Sequence, residues 1–390
     1  MPKNRIGFLD FLRGCALYGI LIVNLPYFAK PMYLVGSVGE NTNLFDSAAS
    51  WIVAFFFESK FYILFSFLFG YGITVQIKDW EGVESRNRYL RRMIGLFLIG
   101  LLHGIFLFLG DILLSYAILG CAAWLIREKK TVWLLRFSLG FLLVAILCRM
   151  ILAFGQDEYR SRLASSLSGI LFETRSAYLG SFWEGAKQRA KDTFISYPFT
   201  ILFQWPSILS MFALGIIAGK TSFFERWEQN KNGLKKSIPW LLTLGLSGNL
   251  IYSIHSRHLF FEDLSLSWLL GFSILDTLSA PALTICYVYW LGIYYHSGAS
   301  LPDRSWFESA GKFSLSNYLG QSVICSWIFC GWGLGFYDKL GNFQLLLLAF
   351  PIWLVCVFVS KIWSRFFSVG PMETILRTVT YVKFGNIRLF

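Results

Sequence analysis

Apolar runs of about 20 residues recur from one end of this chain to the other, and a run of that length crosses a hydrocarbon core of about 30 Å as a helix. No other feature limits the fold as strongly. In lipid, every backbone N–H and C=O must find an internal partner, so a spanning segment is either a helix or part of a closed barrel. The alternating ten-residue pattern of a barrel is absent. The chain is 55% hydrophobic and 15% charged, whereas a soluble domain carries about 25% charged residues. It cannot cover a globular surface with polar groups. The sequence predicts an all-α, polytopic integral-membrane bundle of about ten transmembrane helices. Apolar segments fall at 11–28, 46–77, 93–109, 112–126, 132–154, 198–219, 238–254, 264–295, 313–332 and 343–360.

Segment 46–77 is too long for one perpendicular span, so its first part lies in the interface or the whole helix tilts. Segment 264–295 contains Ser279-Ala280-Pro281 and reads as two half-helices or as one span with a re-entrant piece. No internal repeat or linker divides the chain, and residues 1–390 are expected to form a single transmembrane domain.

The net charge of +12 is topological rather than a nucleic-acid signal. Basic residues collect in blocks between the apolar runs: five in 78–92, three in 127–130 and five in 220–236. Under the positive-inside rule these blocks face the cytoplasm. Both termini are then cytoplasmic, with a tail at about 361–390. Segment 155–197, mixed in charge, is placed outside, where "GSFWEGAKQRAKDTF" forms an amphipathic interfacial helix. Asp10 and Arg13 interrupt the first apolar run and no small-residue cleavage site follows, so it is read as a retained span. The seven Cys lie inside apolar segments without a CxxC and are read as small buried hydrophobes. His255 and His258 lack a third ligand at motif spacing, so no metal is expected.

An ionisable group inside a span costs roughly 2.5–3.5 kcal/mol or more, which makes each one a functional candidate. In "LLHGIFLFLGDILLSYAILG" (101–120) His103 and Asp111 are eight residues apart. An imidazole is the group most easily poised near neutral pH, and a carboxylate beside it can fix its tautomer. The bland alternatives are one interhelical hydrogen bond for His103 and a helix N-cap for Asp111. Asn24, Lys60, Tyr62 and Asp276 are candidate substrate-binding groups toward the outer side, Asn317 and Gln321 toward the inner side. Each has a structural alternative, such as snorkelling for Lys60 or backbone satisfaction before Pro26 for Asn24. Arg13 either pairs with Asp10 one turn away or holds a phosphate arriving from the cytoplasm. GxSxG, Walker A, HExxH and dinucleotide-binding signatures are all missing.

Five stretches together resemble the YeiB family of bacterial inner-membrane proteins, known as a domain of unknown function. They are "RIGFLDFLRGCALYGILIVN" (5–24), "ESKFYILFSFLFGYG" (58–72), "RRMIGLFLIGLLHGIFLFLGDILLSYAILG" (91–120), "GKFSLSNYLGQSVICSWIFCGWGLGFY" (311–337) and "WSRFFSVGPMETILRTVTY" (363–381). That family in turn resembles the transmembrane acyltransferases, which include the lysosomal heparan glucosaminide acetyltransferase. The shared opening is Asp10, Arg13-Gly14 and Val23-Asn24. The resemblance implies a bacterial inner-membrane location, a cytoplasmic acyl-CoA co-substrate and an acceptor on the far side. The lysosomal enzymes carry their catalytic His in the loop after the first helix. Here the loop 29–45 has none, and His103 is put in its place.

The expected function is therefore an O- or N-acyltransferase. His103 is the base and Asp111 orients it; Asn24 or Lys60 stabilises the oxyanion, and Arg13 holds donor phosphate. The acceptor is a small molecule or envelope polymer, no cofactor is tightly bound, and a homo-oligomer is compatible with the sequence. The rivals are a secondary transporter or exporter, which the two depths of polar groups and Pro281 also suit, and a non-catalytic scaffold.

Overall fold

A computed structural model describes residues 6–35, 43–78, 82–256, 266–297 and 304–381. The described residues contain no strand. Their α-helices, in chain order, begin with α1 (Gly7–Ala29), α2 (Leu44–Phe56), α3 (Lys60–Lys78), α4 (Gly82–Phe106) and α5 (Leu113–Ile126). Next come α6 (Thr131–Ala164), α7 (Leu167–Leu179), α8 (Phe182–Phe203), α9 (Trp205–Lys220) and α10 (Trp227–Ser256). The last five are α11 (Leu266–His296), α12 (Ser305–Lys312), α13 (Ser314–Phe329), α14 (Asn342–Phe366) and α15 (Pro371–Tyr381). By length and composition six spans qualify to cross a membrane, or seven if the α8–α9 pair, bent by 53°, is one broken span. The all-α membrane bundle is thus realised. The difference from ten is α5 and α13, too short at 14 and 16 residues, and α10, which has 30 residues but is not apolar enough.

Local chemistry explains the breaks. Segment 46–77 divides at Phe57–Ser59, where Ser59 takes the left-handed conformation at φ 68°. The buried Lys60 ammonium donates to Ala54 O at 3.0 Å, satisfying a carbonyl of the last turn of α2, where the helix dipole favours a cation. From Leu266 onward, segment 264–295 is one continuous helix, α11, running through Pro281. The region 155–197 is not a loop with one interfacial helix. It is the end of α6, all of α7 and most of α8, which starts on a Ser181–Glu184 capping box. The C-terminal tail folds back as α15, burying Leu376 against α4.

Several helices approach too closely for any side chain between them. A Cβ on Gly14 would lie 2.1 Å from Phe307 O, and one on Gly311 would lie 1.7 Å from Asp10 O. These glycines let α12 lie directly on α1 beside Arg13.

The basic blocks predict a definite orientation. In a background lacking native Cys, Glu173→Cys on α7 should react with an impermeant maleimide added outside intact cells. Glu128→Cys should react only after the inner face is opened. The reverse pattern would invert the topology.

Candidate functional site

α4 and α5 form a hairpin whose turn carries the opening pair. The N–H groups of Leu107 and Phe108 both donate to His103 O, at 2.9 and 2.8 Å, which closes the last turn of α4 on the His103 carbonyl. The chain then reverses and brings Asp111 back to the imidazole. His103 Nδ1 and Asp111 Oδ1 are 2.7 Å apart. The other carboxylate oxygen, Oδ2, accepts the N–H of Leu114 at 2.7 Å, an orphan donor of the first turn of α5. Asp111 is thus both a cap and the orienter of His103. Gly100, one turn before His103, makes room for this: a Cβ there would lie 2.7 Å from Asp111 Oδ2 and 2.5 Å from Leu114 N.

The second ring nitrogen meets a residue that sequence reasoning missed. His103 Nε2 is 2.8 Å from Ser322 Oγ on α13. Ser322, His103 and Asp111 are all buried. Nothing in the sequence singles out Ser322 among the serines of α13, because its partner lies 219 residues away. The only local signal is its place next to Gln321. Neighbouring elements hold the turn rigid: Ser326 Oγ donates to Leu107 O at 2.9 Å, and the buried Arg189 of α8 donates to Phe106 O at 2.7 Å.

Below this site lies a cavity of about 330 Å³. One end is basic, with Arg13 of α1, Arg92 of α4, Lys312 of α12 and Arg377 of α15 on its wall. Of these only Arg92 belongs to the basic block 78–92, and Glu373 of α15 lines the same cavity. The middle is apolar, formed by side chains such as Leu17, Ile20, Phe65 and Leu96. The far end is closed by Ile112, Leu113 and Tyr318. The Tyr318 ring stands 4.9 Å, centroid to centroid, from the His103 ring. Arg13 gives one N–H to Asp10 Oδ1 at 3.1 Å. Arg92 and Arg377 make no hydrogen bond or ion pair with any described residue, although Arg92 feels the like charges of Arg13 and Arg377.

Of the sequence candidates only Arg13 lines this cavity; His103 and Asp111 lie behind Ile112, Leu113 and Tyr318. Asn24 is half-buried and continues the α1 stripe of Arg13, Leu17 and Ile20. Asn317 donates to Ala310 O and Ser360 Oγ, both at 2.8 Å, and ties α12, α13 and α14 together. Gln321 donates to Leu17 O at 3.4 Å; it adjoins Ser322 and so stands level with His103, not on a separate inner level. Lys60 serves α2. Asp276 accepts from the buried Arg149 of α6, and Tyr62 belongs to the same electrostatic neighbourhood. These three form a second buried polar cluster between α3, α6 and α11. His258 lies outside the described residues, as does the His255 side chain. Among the described residues no group of three or more His, Cys, Asp or Glu is placed to hold a metal.

Comparison with known proteins gives consistent matches. A model of a protein family of unknown function, DUF418, matches residues 218–383. The uncharacterised protein YxaH of Bacillus subtilis is 30% identical, over 99% of this chain and 97% of its own length. The uncharacterised protein YeiB of Escherichia coli is 27% identical, over 95% of each chain. No solved structure matches.

Proposed function

We propose, from the premise that this chain belongs to the DUF418 family with YxaH and YeiB, that it is an integral-membrane acyltransferase of the bacterial cytoplasmic membrane. The observation that carries the reading is the cavity itself: basic side chains at one end, an apolar middle, and an end walled by Ile112, Leu113 and Tyr318, with the Tyr318 ring separating it from the His103–Asp111 pair. An acyl-CoA-type donor has that same order of parts. Its phosphates pair with Arg13, Arg92, Lys312 and Arg377, for which bidentate guanidinium groups are well suited. Its pantetheine and acyl portions lie along Leu17, Ile20, Phe65 and Leu96. Its carbonyl arrives beside His103, where Asp111 holds Nδ1–H and leaves the Nε2 lone pair, which faces the Ser322 hydroxyl, to take a proton. The acceptor, a hydroxyl or amine on a small molecule or envelope polymer, approaches from the opposite side of the α4–α5 turn.

The test is direct. Detergent-purified protein should bind acetyl-CoA, palmitoyl-CoA or an intermediate chain length by calorimetry, and acyl-CoA thiol release should rise when outer-face membrane extract is added as acceptor. Absence of binding across the whole acyl-CoA series would overturn the reading.

A further inference from the structure

The geometry points to Ser322 as a catalytic nucleophile that carries the acyl group as an ester before the acceptor receives it. This inference rests on the acyl-transfer reading above and adds a covalent step to it.

Three observations converge on Ser322. The first is the direction of the proton. An ionised carboxylate only accepts hydrogen bonds, so Asp111 requires His103 Nδ1 to be the donor across their 2.7 Å contact. A neutral imidazole then presents a lone pair at Nε2, and the group 2.8 Å away is the Ser322 hydroxyl. Serines in membrane helices commonly bond back to the carbonyl four residues earlier. Ser322 has that option too, but Tyr318 O is 3.2 Å away, longer than the contact to the imidazole. The imidazole is the nearer of the two acceptors open to the Ser322 hydroxyl when Nε2 carries its lone pair. Ser322, His103 and Asp111 thus have the mutual geometry of a nucleophile, its base and the base's orienter.

The second observation is position. Leu315, Tyr318 and Ser322 fall at i, i+3 and i+7 on α13, so they share one helix face. Leu315 and Tyr318 line the cavity, and Ser322 is the next group on that line. The third is a spare donor. Tyr318 lines the cavity, and its buried hydroxyl donates to no acceptor among the described residues, while its oxygen lies against the backbone of Ile112. A phenolic O–H held there, beside the reacting centre, is suited to a developing oxyanion.

The step balances as follows. Ser322 Oγ attacks the carbonyl carbon of an ester or thioester donor while its proton passes to His103 Nε2. The tetrahedral adduct collapses, the bond to the donor's sulfur or oxygen breaks, and that atom leaves with the proton. An acceptor hydroxyl or amine then gives its proton to Nε2 as it attacks acyl-Ser322. Ser322 Oγ takes that proton back as it departs.

A dodecyl fluorophosphonate tests this without knowledge of the natural donor, because its alkyl chain suits the apolar cavity and it reacts only with activated hydroxyls. Purified protein should acquire a single adduct, mapped to Ser322 by peptide mass spectrometry. Ser322→Ala should abolish it, His103→Gln should slow it at least 100-fold, and Ser326→Ala, one turn along α13, should label like wild type. Ser322→Cys should move an iodoacetamide or acyl adduct onto position 322, which guards against a folding defect in the alanine variant. No adduct on Ser322 in wild-type protein, while Tyr318→Ala with a widened passage also stays unlabelled, overturns the proposal. So does wild-type transfer from acyl-CoA by Ser322→Ala; that result leaves the acyltransferase reading standing with direct attack by the acceptor. Labelling of Ser322 in a protein that binds no acyl-CoA upholds the nucleophile and overturns the acyl-CoA reading instead.

Discussion

Asp111→Asn should leave the protein folded and lower acyl transfer by about 10³–10⁴-fold, the order seen when a base loses its orienting carboxylate. The fold survives because an Asn side-chain oxygen still accepts the Leu114 N–H, and Asn caps about as well as Asp. The chemistry fails for two reasons. An amide does not stabilise an imidazolium, and its NH₂ group turned toward Nδ1 selects the tautomer that points a hydrogen at Ser322. His103→Ala should be at least as severe while leaving the basic mouth of the cavity intact, so acyl-CoA binding should persist within a few-fold. Because the residues act as a unit, the double variant should be little worse than His103→Ala alone. Single-turnover thiol release, measured beside calorimetric binding, separates the two effects. Near-normal turnover in Asp111→Asn would reduce the carboxylate to a helix cap and move the active centre elsewhere.

The second large effect belongs to the mouth. Arg92→Ala should weaken CoA binding by about 10–100-fold, corresponding to about 1.5–3 kcal/mol for hydrogen bonds to a charged partner. The double change Arg92→Glu, Arg377→Glu should abolish it, since two attractions become repulsions. Arg13→Lys should cost about tenfold despite keeping its charge, because the planar fork is lost. Binding to wild-type protein should weaken steeply with ionic strength, as expected where exposed cations attract a polyanion. The same variants should leave alkyl fluorophosphonate labelling of Ser322 unchanged, because that probe has no phosphate tail to hold. A Kd for CoA insensitive to Arg92 and Arg377 would place the donor outside this cavity.

Much of this protein was determined by composition and period. A chain with 55% hydrophobic residues in runs of membrane length has no stable alternative to an all-α bundle, because lipid offers the backbone no hydrogen-bond partners. The pair His103 and Asp111 was legible for a local reason. Eight residues, with Gly110 between, are enough to close a turn, and the cost of burying either group alone implies a partner nearby. Arg13 stood out as a candidate anion ligand because it interrupts an otherwise apolar helix, and the fold places it on the cavity wall.

What only the tertiary structure decided depends on contacts between distant segments. Ser322 meets His103 because α13 packs beside the α4–α5 hairpin, and a serine in an apolar helix gives no sign of which carbonyl or ring it will face. Arg92 and Arg377 are 285 positions apart by their numbering, and each alone reads as part of a topological basic block. α15 folding back onto α4 is what brings them to one mouth. Conversely, Lys60, Asn317 and Gln321 looked like ligand groups because buried polarity is costly, yet the bundle gives them internal partners in Ala54 O, Ser360 and Leu17 O, whereas Asp276 meets Arg149 with one oxygen and keeps Oδ1 buried without a partner among the described residues. The sequence shows that a polar group is buried. Whether its partner is the protein or a substrate depends on which helices lie beside it, and side-chain packing between helices far apart in the chain sets that arrangement.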